Sequence, residues 1–201
     1  MSEKSPEHKD GIKPAGGLWL AVAASAVLTA GMAIVLSGQG RVWWCELGDS
    51  AIYINQAWNS SHTSQHLFDP YTFTHILHGV LLFWLTGLLV PRLAMHWRFL
   101  IAMAAEAGWE VLENSSFIIE KYRENTASLD YFGDSIANSI GDVIACAVGF
   151  WVAAKLGMWR SLAFFLVVEI VLLLWIRDGL LLNILMLIYP VEWIKAWQTA
   201  I

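Results

Sequence analysis

Three glutamates stand in one apolar stretch of the chain, in the segment EAGWEVLEN, and they are Glu106, Glu110 and Glu113. At about 100° per residue, Glu110 lies roughly 40° round a helix from Glu106, and Glu113 lies roughly 20° the other way. All three carboxylates therefore share one face. Because an ionised side chain near a bilayer centre costs about 2.5 to 3.5 kcal/mol, this face must turn towards protein partners or a hydrated cavity. The pattern indicates a functional site.

Two further segments carry polar groups that suit the same site. HILHG places His75 and His78 one turn apart, on nearly the same face of a helix. DSIANSIGD places Asp134, Asn138 and Asp142 at intervals of four residues, which also puts them on one face. Three predicted helices thus supply imidazole, carboxylate and carboxamide groups.

Acid–base chemistry is the activity that these residue types suit best. It needs two titratable groups in unlike surroundings, so that their pKa values are separated. We assign Glu110 and Asp142 as the acid–base pair and His78 as the group that polarises a ligand. Further binding residues are predicted around them, namely His75, Glu113, Arg123, Asp134 and Asn138. The simpler alternative is that the buried carboxylates only hold helices together.

A divalent metal is a second possibility for the same residues. His75, His78 and Glu110 offer the nitrogen and oxygen ligands that zinc, iron or manganese accepts. The spacing is HxxH, without the HExxH sequence of a helical zinc protease. The sequence therefore leaves the cofactor unknown and a divalent metal as one alternative.

The composition is that of a membrane protein. Of the 201 residues, 57% are hydrophobic and only 14% are charged. The mean hydropathy is +0.54, which is unlike that of a soluble domain. A net charge of −5 and the lack of a glycine-rich phosphate loop argue against nucleic acid as a partner. Membrane lipid is the expected partner, and the sequence identifies no protein partner.

Apolar runs predict an all-α, polytopic membrane helix bundle with about five transmembrane spans. Residues 1–17 are polar and predict a disordered cytoplasmic tail, while residues 18–201 form the membrane domain. The predicted spans are residues 18–37, 71–90, 98–119, 135–154 and 161–176. Residues 180–199 predict a short apolar helix and then an interfacial helix, because the apolar part is too short to cross about 30 Å of hydrocarbon.

Lysine and arginine residues in the short loops predict the orientation. The larger set lies on the side of the amino terminus and comprises Lys4, Lys9, Lys13, Arg92, Arg98, Lys155 and Arg160. The positive-inside rule places that side, and hence the amino terminus, in the cytoplasm. At about 1.5 Å per residue, Glu110 then lies about 18 Å above Arg98, and Asp142 about 12 Å below the opposite surface. The predicted pocket therefore opens to the periplasm.

The loop of residues 120–133 lies just above the predicted pocket. Arg123 is expected to hold an anionic head group or to pair with Asp130 or Asp134. The alternative is a hydrated connection that makes no contact with a ligand.

The earlier loop, residues 38–70, contains two histidines at helical spacing. His62 and His66 lie four residues apart, and we interpret them as solvated rather than metal-bound. Cys45 stands at a membrane edge and Cys146 inside an apolar segment, so we predict no disulfide between them.

A resemblance to a known family rests on HILHG and on the long block EAGWEVLENSSFIIEKYRENTASLDYFGDSIANSIGD. These segments resemble a family of small inner-membrane proteins of unknown function from alphaproteobacteria, over about residues 43–149. A fainter similarity is to VanZ-like membrane proteins, through the D-x-x-x-N-x-x-G pattern of Asp134, Asn138 and Gly141. The first resemblance implies a multi-pass inner-membrane protein. Neither resemblance implies a reaction, a substrate or a cofactor.

Three functions fit the sequence. The first is a pocket that binds or processes an amphiphile of the outer leaflet. The second is a proton-coupled transporter or relay in which Glu106, Glu110, Glu113 and Glu169 form a ladder, with Glu106 nearer the cytoplasm. The third is a membrane scaffold without catalysis. Whether the protein is an enzyme is therefore left open.

Overall fold

The computed structural model describes residues 16–55, 60–126 and 128–200. Within these ranges the regular secondary structure is helical, and the loops contain one isolated bridge between Tyr53 and Phe68, which confirms the predicted all-α class. The helices are α1 (Gly16–Gly38), α2 (Thr72–Leu89), α3 (Met95–Glu113), α4 (Ser116–Asn125), α5 (Ile136–Leu156), α6 (Met158–Ile176), α7 (Leu180–Ile188) and α8 (Glu192–Thr199). Most of the predicted tail, residues 1–15, lies outside the described residues.

Four helices, α1, α2, α5 and α6, are long and apolar enough to cross a membrane. The remaining predicted span, residues 98–119, corresponds largely to α3, which has 19 residues but also carries Arg98 and the three glutamates. Its composition alone therefore does not mark it as a span. α3 packs against α1, α2 and α5, so its polar face lies inside the bundle. The hydrophobic core beside it includes Leu36, Phe99, Met103 and Phe150.

The segment predicted as a span over residues 98–119 is not one continuous helix. α3 stops at Glu113, and a separate helix, α4, begins at Ser116. The physical reason is local, since Ser115 has extended backbone and its hydroxyl accepts a hydrogen bond from the Ile118 amide. A serine in this position satisfies an otherwise free amide and starts a new helix. The break places the end of α3 at a polar surface.

Glycines bring α2 and α5 into backbone contact. A Cβ atom at Gly79 would collide with the Cys146 carbonyl, and one at Gly149 would collide with the Ile76 carbonyl. Small residues at a helix interface allow this approach. The contact sets the histidines of α2 directly beside the aspartate of α5.

Three segments cover the end of the bundle where α2 and α5 begin and where α3 ends. We call the described parts of residues 39–71, 114–135 and 177–200 the polar cap. A backbone hydrogen bond joins the first two of these segments, from the Ser135 amide to the Ser64 carbonyl (2.9 Å), and another ties the first segment to α5, from the Ile136 amide to the Val42 carbonyl (2.8 Å). The Lys195 ammonium donates to the Glu124 carbonyl and attaches the third. Polar side chains at this end are therefore enclosed by protein.

Candidate functional site

One buried imidazole joins the acidic residues of two helices. His75 Nδ1 lies 2.7 Å from Glu106 Oε1 and 3.4 Å from Glu110 Oε1. On its other side, His75 Nε2 lies 3.8 Å from Asp142 Oδ2. The structure thus brings together α2, α3 and α5 at the residues that the sequence predicted.

The second histidine shares the same glutamate. His78 Nδ1 lies 3.1 Å from both Glu106 oxygens, and its ring stands edge-on to Trp109 at 6.2 Å between ring centroids. An ionised Glu106 accepts a hydrogen bond from Nδ1 of each imidazole. From this pattern we assign the proton of His75 and His78 to Nδ1, which leaves Nε2 of each ring with a free lone pair. A carboxylate orients catalytic and metal-binding histidines in this way.

Glu106 is a site residue that the sequence analysis did not select as catalytic or binding. It entered there only as a member of a proton ladder, and the structure places it at the centre of the histidine cluster. Glu169, another member of that ladder, accepts hydrogen bonds from the amides of Leu180 and Leu181 and caps α7. The shared face of the glutamates on α3 was the available signal for Glu106.

Several carboxylate oxygens of the site are buried without a hydrogen bond from any described residue. They are both oxygens of Glu110, Oε2 of Glu113 and Oδ1 of Asp142. A buried polar atom in this condition costs free energy unless a proton, an ion, water or a ligand satisfies it. These atoms mark the part of the site that a bound molecule would complete.

Asp134, by contrast, is fully bonded within the polar cap. Its carboxylate accepts from Asn114 Nδ2 at 2.7 Å and from the Tyr131 hydroxyl at 2.9 Å, and its amide donates to Asn114 Oδ1 at 2.7 Å. Burial raises the pKa of Asp134, and it raises the pKa of Tyr131 so that this phenol stays protonated. Sequence reasoning missed Asn114 and Tyr131, although Asn114 marks the break after α3. This network fixes one wall of the site.

Two further carboxyl groups of the polar cap are bonded and buried. Asp178 accepts from the Gly179 amide at 2.8 Å and from the Tyr71 hydroxyl at 3.1 Å. Burial raises the pKa of Asp178 to about 7. Asp69 accepts from the Ser64 and Tyr71 amides, and burial raises the pKa of Asp69 to about 6. Both groups change charge near neutral pH.

A cavity of about 70 Å³ opens beside the cluster, which is room for a few water molecules. Its polar lining comprises Thr63, Ser64, Tyr71, Thr74, His75, His78, Glu113, Tyr122, Ser128, Tyr131, Asp134, Asp142 and Asn183. One apolar wall comes from Leu180, Ile184 and Leu187 of α7. The cavity is therefore polar on one side and apolar on the other.

An apolar groove continues from this cavity along α2 and α3. It has a volume of about 650 Å³, and its lining includes Leu81, Leu85 and Met158. His78 and Trp109 line both the cavity and the groove. A polar chamber and an apolar channel thus meet at these two side chains.

The structure does not bring two of the predicted binding residues to the cavity. Arg123 is exposed on α4, where its guanidinium lies 5.0 Å from the centre of the Phe132 ring, a cation–π arrangement. Asn138 is buried and donates from Nδ2 to the His66 carbonyl at 2.8 Å. Arg123 has its aromatic partner outside the cavity, and Asn138 instead holds the first loop against α5.

A helical membrane bundle with a buried histidine–carboxylate cluster at one end is the class of protein that fold and site define. The chain belongs to the family described as protein of unknown function (DUF2585), whose model matches residues 36–200. This confirms the resemblance to a family of unknown function. The resemblance to VanZ-like proteins is not supported by these matches.

Relatives in alphaproteobacteria share most of the chain. A UPF0314 protein of Brucella anthropi is 42% identical over 190 residues, covering 94% of this chain and 96% of the relative. UPF0314 proteins of Paracoccus denitrificans and Rhizobium meliloti are 41% and 40% identical, covering 81% and 92% of this chain and 83% and 92% of those relatives. No solved structure matches the chain.

Proposed function

We propose that the protein binds an amphiphile of the outer leaflet and carries out acid–base chemistry on its polar head. The observation that carries this proposal is the junction at His78 and Trp109, where the polar cavity meets the apolar groove. A head group in the cavity would satisfy the free oxygens of Glu113 and Asp142, which line it, and an acyl chain in the groove would lie against leucine side chains.

The groups have separate roles in this reaction. His78 is the general base, because Glu106 holds the proton on Nδ1 and leaves Nε2 free beside the cavity. Asp142 is the general acid, because it lines the cavity and its Oδ1 has no described hydrogen-bond partner. Glu110 does not line the cavity and acts through His75, which lies between it and Asp142. Together they would deprotonate a nucleophile and protonate a leaving group.

The orientation in the cell is part of the proposal. The lysine and arginine distribution supports a multi-pass inner-membrane protein with a cytoplasmic amino terminus. In that orientation the polar cap faces the periplasm, and the groove runs from His78 along α2 towards the cytoplasmic end of the bundle.

A divalent metal is the second candidate for the cluster. His75, His78 and Glu106 offer ligand atoms that all lie within 4.8 Å of one another, as do His75, Glu110 and Glu113. Two imidazoles with carboxylates suit zinc, iron or manganese. In this version the metal would supply a Lewis acid at the head group. Elemental analysis of the purified protein and of His75→Asn decides between the two versions.

Lipid occupancy tests the binding step. Protein extracted with its native lipid should carry one class of amphiphile, identified by mass spectrometry, and Leu85→Trp should exclude it by filling the groove. Leu166→Trp is the matched control, because Leu85 is 47% exposed and Leu166, on α6, is 49% exposed. Equal occupancy in the two variants would refute the assigned groove.

Lipid extracts of a deletion strain test the chemical step. Complementation with the wild-type gene should remove one amphiphile that accumulates in the strain, whereas Asp142→Asn and His78→Gln should leave it at the deletion level. Glu192→Gln, an exposed site on α8, serves as the control at matched protein levels. Full complementation by both site variants would refute the acid–base reaction and leave only the binding of the amphiphile.

A further inference from the structure

A second cluster of metal-binding side chains lies in the polar cap, in the loop between α1 and α2. Cys45 Sγ lies 3.5 Å from His62 Nδ1, and His62 Nδ1 lies 3.2 Å from His66 Nε2. Cys45 and His66 are buried, and His62 is half-buried. The interpretation as solvated is therefore wrong for His66, which is fully buried, whereas His62 is half-buried. The fold brings both histidines back to Cys45 from 17 and 21 residues along the chain.

The hydrogen bonds of this cluster leave lone pairs facing one another. His66 Nδ1 lies 2.7 Å from the Ala51 carbonyl, which can only accept, so Nδ1 carries the proton of the neutral ring and Nε2 does not. That free Nε2 points at His62 Nδ1, which in turn faces the Cys45 sulfur. One proton on His62 can serve only one of these neighbours well. A cation placed among the three atoms satisfies them all.

The distances match the edges of a tetrahedral zinc site. With Zn–S of about 2.3 Å and Zn–N of about 2.0–2.1 Å, tetrahedral angles require S···N of about 3.6 Å and N···N of about 3.3 Å. The observed separations are 3.5 Å and 3.2 Å. All three atoms, including the Cys45–His66 pair, lie within 4.8 Å of one another.

We propose that Cys45, His62 and His66 bind one zinc ion, with water in the fourth position. Thiolate and imidazole ligands favour zinc over the hard cations magnesium and calcium, which prefer oxygen. The bond from His66 Nδ1 to the Ala51 carbonyl is the outer contact that fixes a metal-binding histidine in its tautomer. This inference does not rest on the proposed function, since none of its ligands belongs to the His75 cluster.

The zinc site shapes the cavity from outside. The same loop supplies Thr63 and Ser64 to the cavity lining, and its His66 carbonyl accepts the hydrogen bond of Asn138. The edge of the Trp44 ring packs against His66, with 6.0 Å between centroids. A metal at this point fixes a loop that carries few helical hydrogen bonds of its own. Zinc removal should therefore loosen the loop and leave the helices in place.

Zinc content of the purified protein is the first test. Each protein is purified as the full chain in detergent without chelator and is dialysed against zinc. Cys45→Ser and His66→Gln should each contain one zinc per chain fewer than the wild type. His75→Asn combined with His78→Asn should keep this zinc, which separates the site from the proposed reaction centre. His96→Gln is the matched histidine control, because His96 lies on α3 beside Trp97. Equal zinc in Cys45→Ser and the wild type would overturn the proposal.

Cobalt substitution is the second test and needs no change to the proposed ligands. In Cys146→Ala, Cys45 is the one remaining thiol of the chain. Bound Co²⁺ should then show a thiolate-to-cobalt charge-transfer band, which zinc should displace. A spectrum without that band, or copper found in place of zinc, would overturn the assignment.

Discussion

The His75 cluster in the bundle and the Cys45 cluster in the polar cap each contain two histidines about one helical turn apart, but the third group differs. In the bundle, Glu106 accepts hydrogen bonds from Nδ1 of both imidazoles. In the cap, the third group is a thiol, and the histidine nitrogens face each other at 3.2 Å. The carboxylate can satisfy two histidines by itself, whereas the thiol cannot. The first cluster is therefore suited to moving protons and the second to holding a cation.

Glu106→Gln should destabilise the bundle cluster and leave the Cys45 cluster intact. A neutral amide binds the two Nδ1 donors less strongly than a carboxylate does, and a buried hydrogen bond to a charged group typically contributes about 1.5–3 kcal/mol. We expect a loss of about that size in the free energy of unfolding, measured by denaturation in detergent. Zinc bound in the cap should be unchanged. A loss below about 1 kcal/mol, the scale of an exposed pair, would contradict the central role of Glu106.

Stability should fall as pH rises through neutrality because of Asp178. Its pKa is about 7 in the folded protein and 3.8 ordinarily, so the protonated form is favoured by folding. Its contribution is complete below about pH 4 and is lost as pH rises through 7, with a size of up to about 4 kcal/mol. Melting curves between pH 5 and 8 should show the fall, and Asp178→Asn should reduce it. Parallel wild-type and variant profiles would show that Asp178 does not titrate in this range.

Asn114→Ala should weaken the wall of the bundle site without touching its histidines. The variant leaves Asp134 without the 2.7 Å bond from Asn114 Nδ2, which costs about 1–3 kcal/mol for a buried acceptor. The melting temperature should fall, while Asn114→Asp should not restore it because two carboxylates would then face each other. Wild-type stability in Asn114→Ala would mean that water replaces the side chain.

Arg123→Ala should have the smallest effect. The guanidinium stacks on Phe132 at the surface and does not line the cavity, so unfolding should change by less than about 1 kcal/mol. Amphiphile occupancy should equal that of the wild type. A clear drop in occupancy would restore the earlier assignment of Arg123 as the head-group ligand.

The helices could be read from the sequence, because apolar runs and polar breaks decide them locally. The helices α1, α2, α5 and α6 cover the segments predicted as spans, within a few residues. The end of α3 could not be read, because the Ser115 cap competes with an apolar pattern that continues to Ile119.

The site could be predicted in part. The faces of α2, α3 and α5 identified His75, Glu110 and Asp142, since periodicity fixes which residues share a face. It does not fix how far one helix slides along another, and for that reason the pairing of Glu106 with both histidines was not predicted. The Cys45 cluster could not be predicted, because the spacing of His62 and His66 carries no information about Cys45, which a long loop brings to them.

A density map of the protein in native lipid tests the central claim most directly. The account predicts an elongated molecule with its head within about 3.5 Å of His78 and Asp142 and its chain in the groove beside Leu85. A cavity that holds only water, with lipid confined to the outer surface of the bundle, would contradict it.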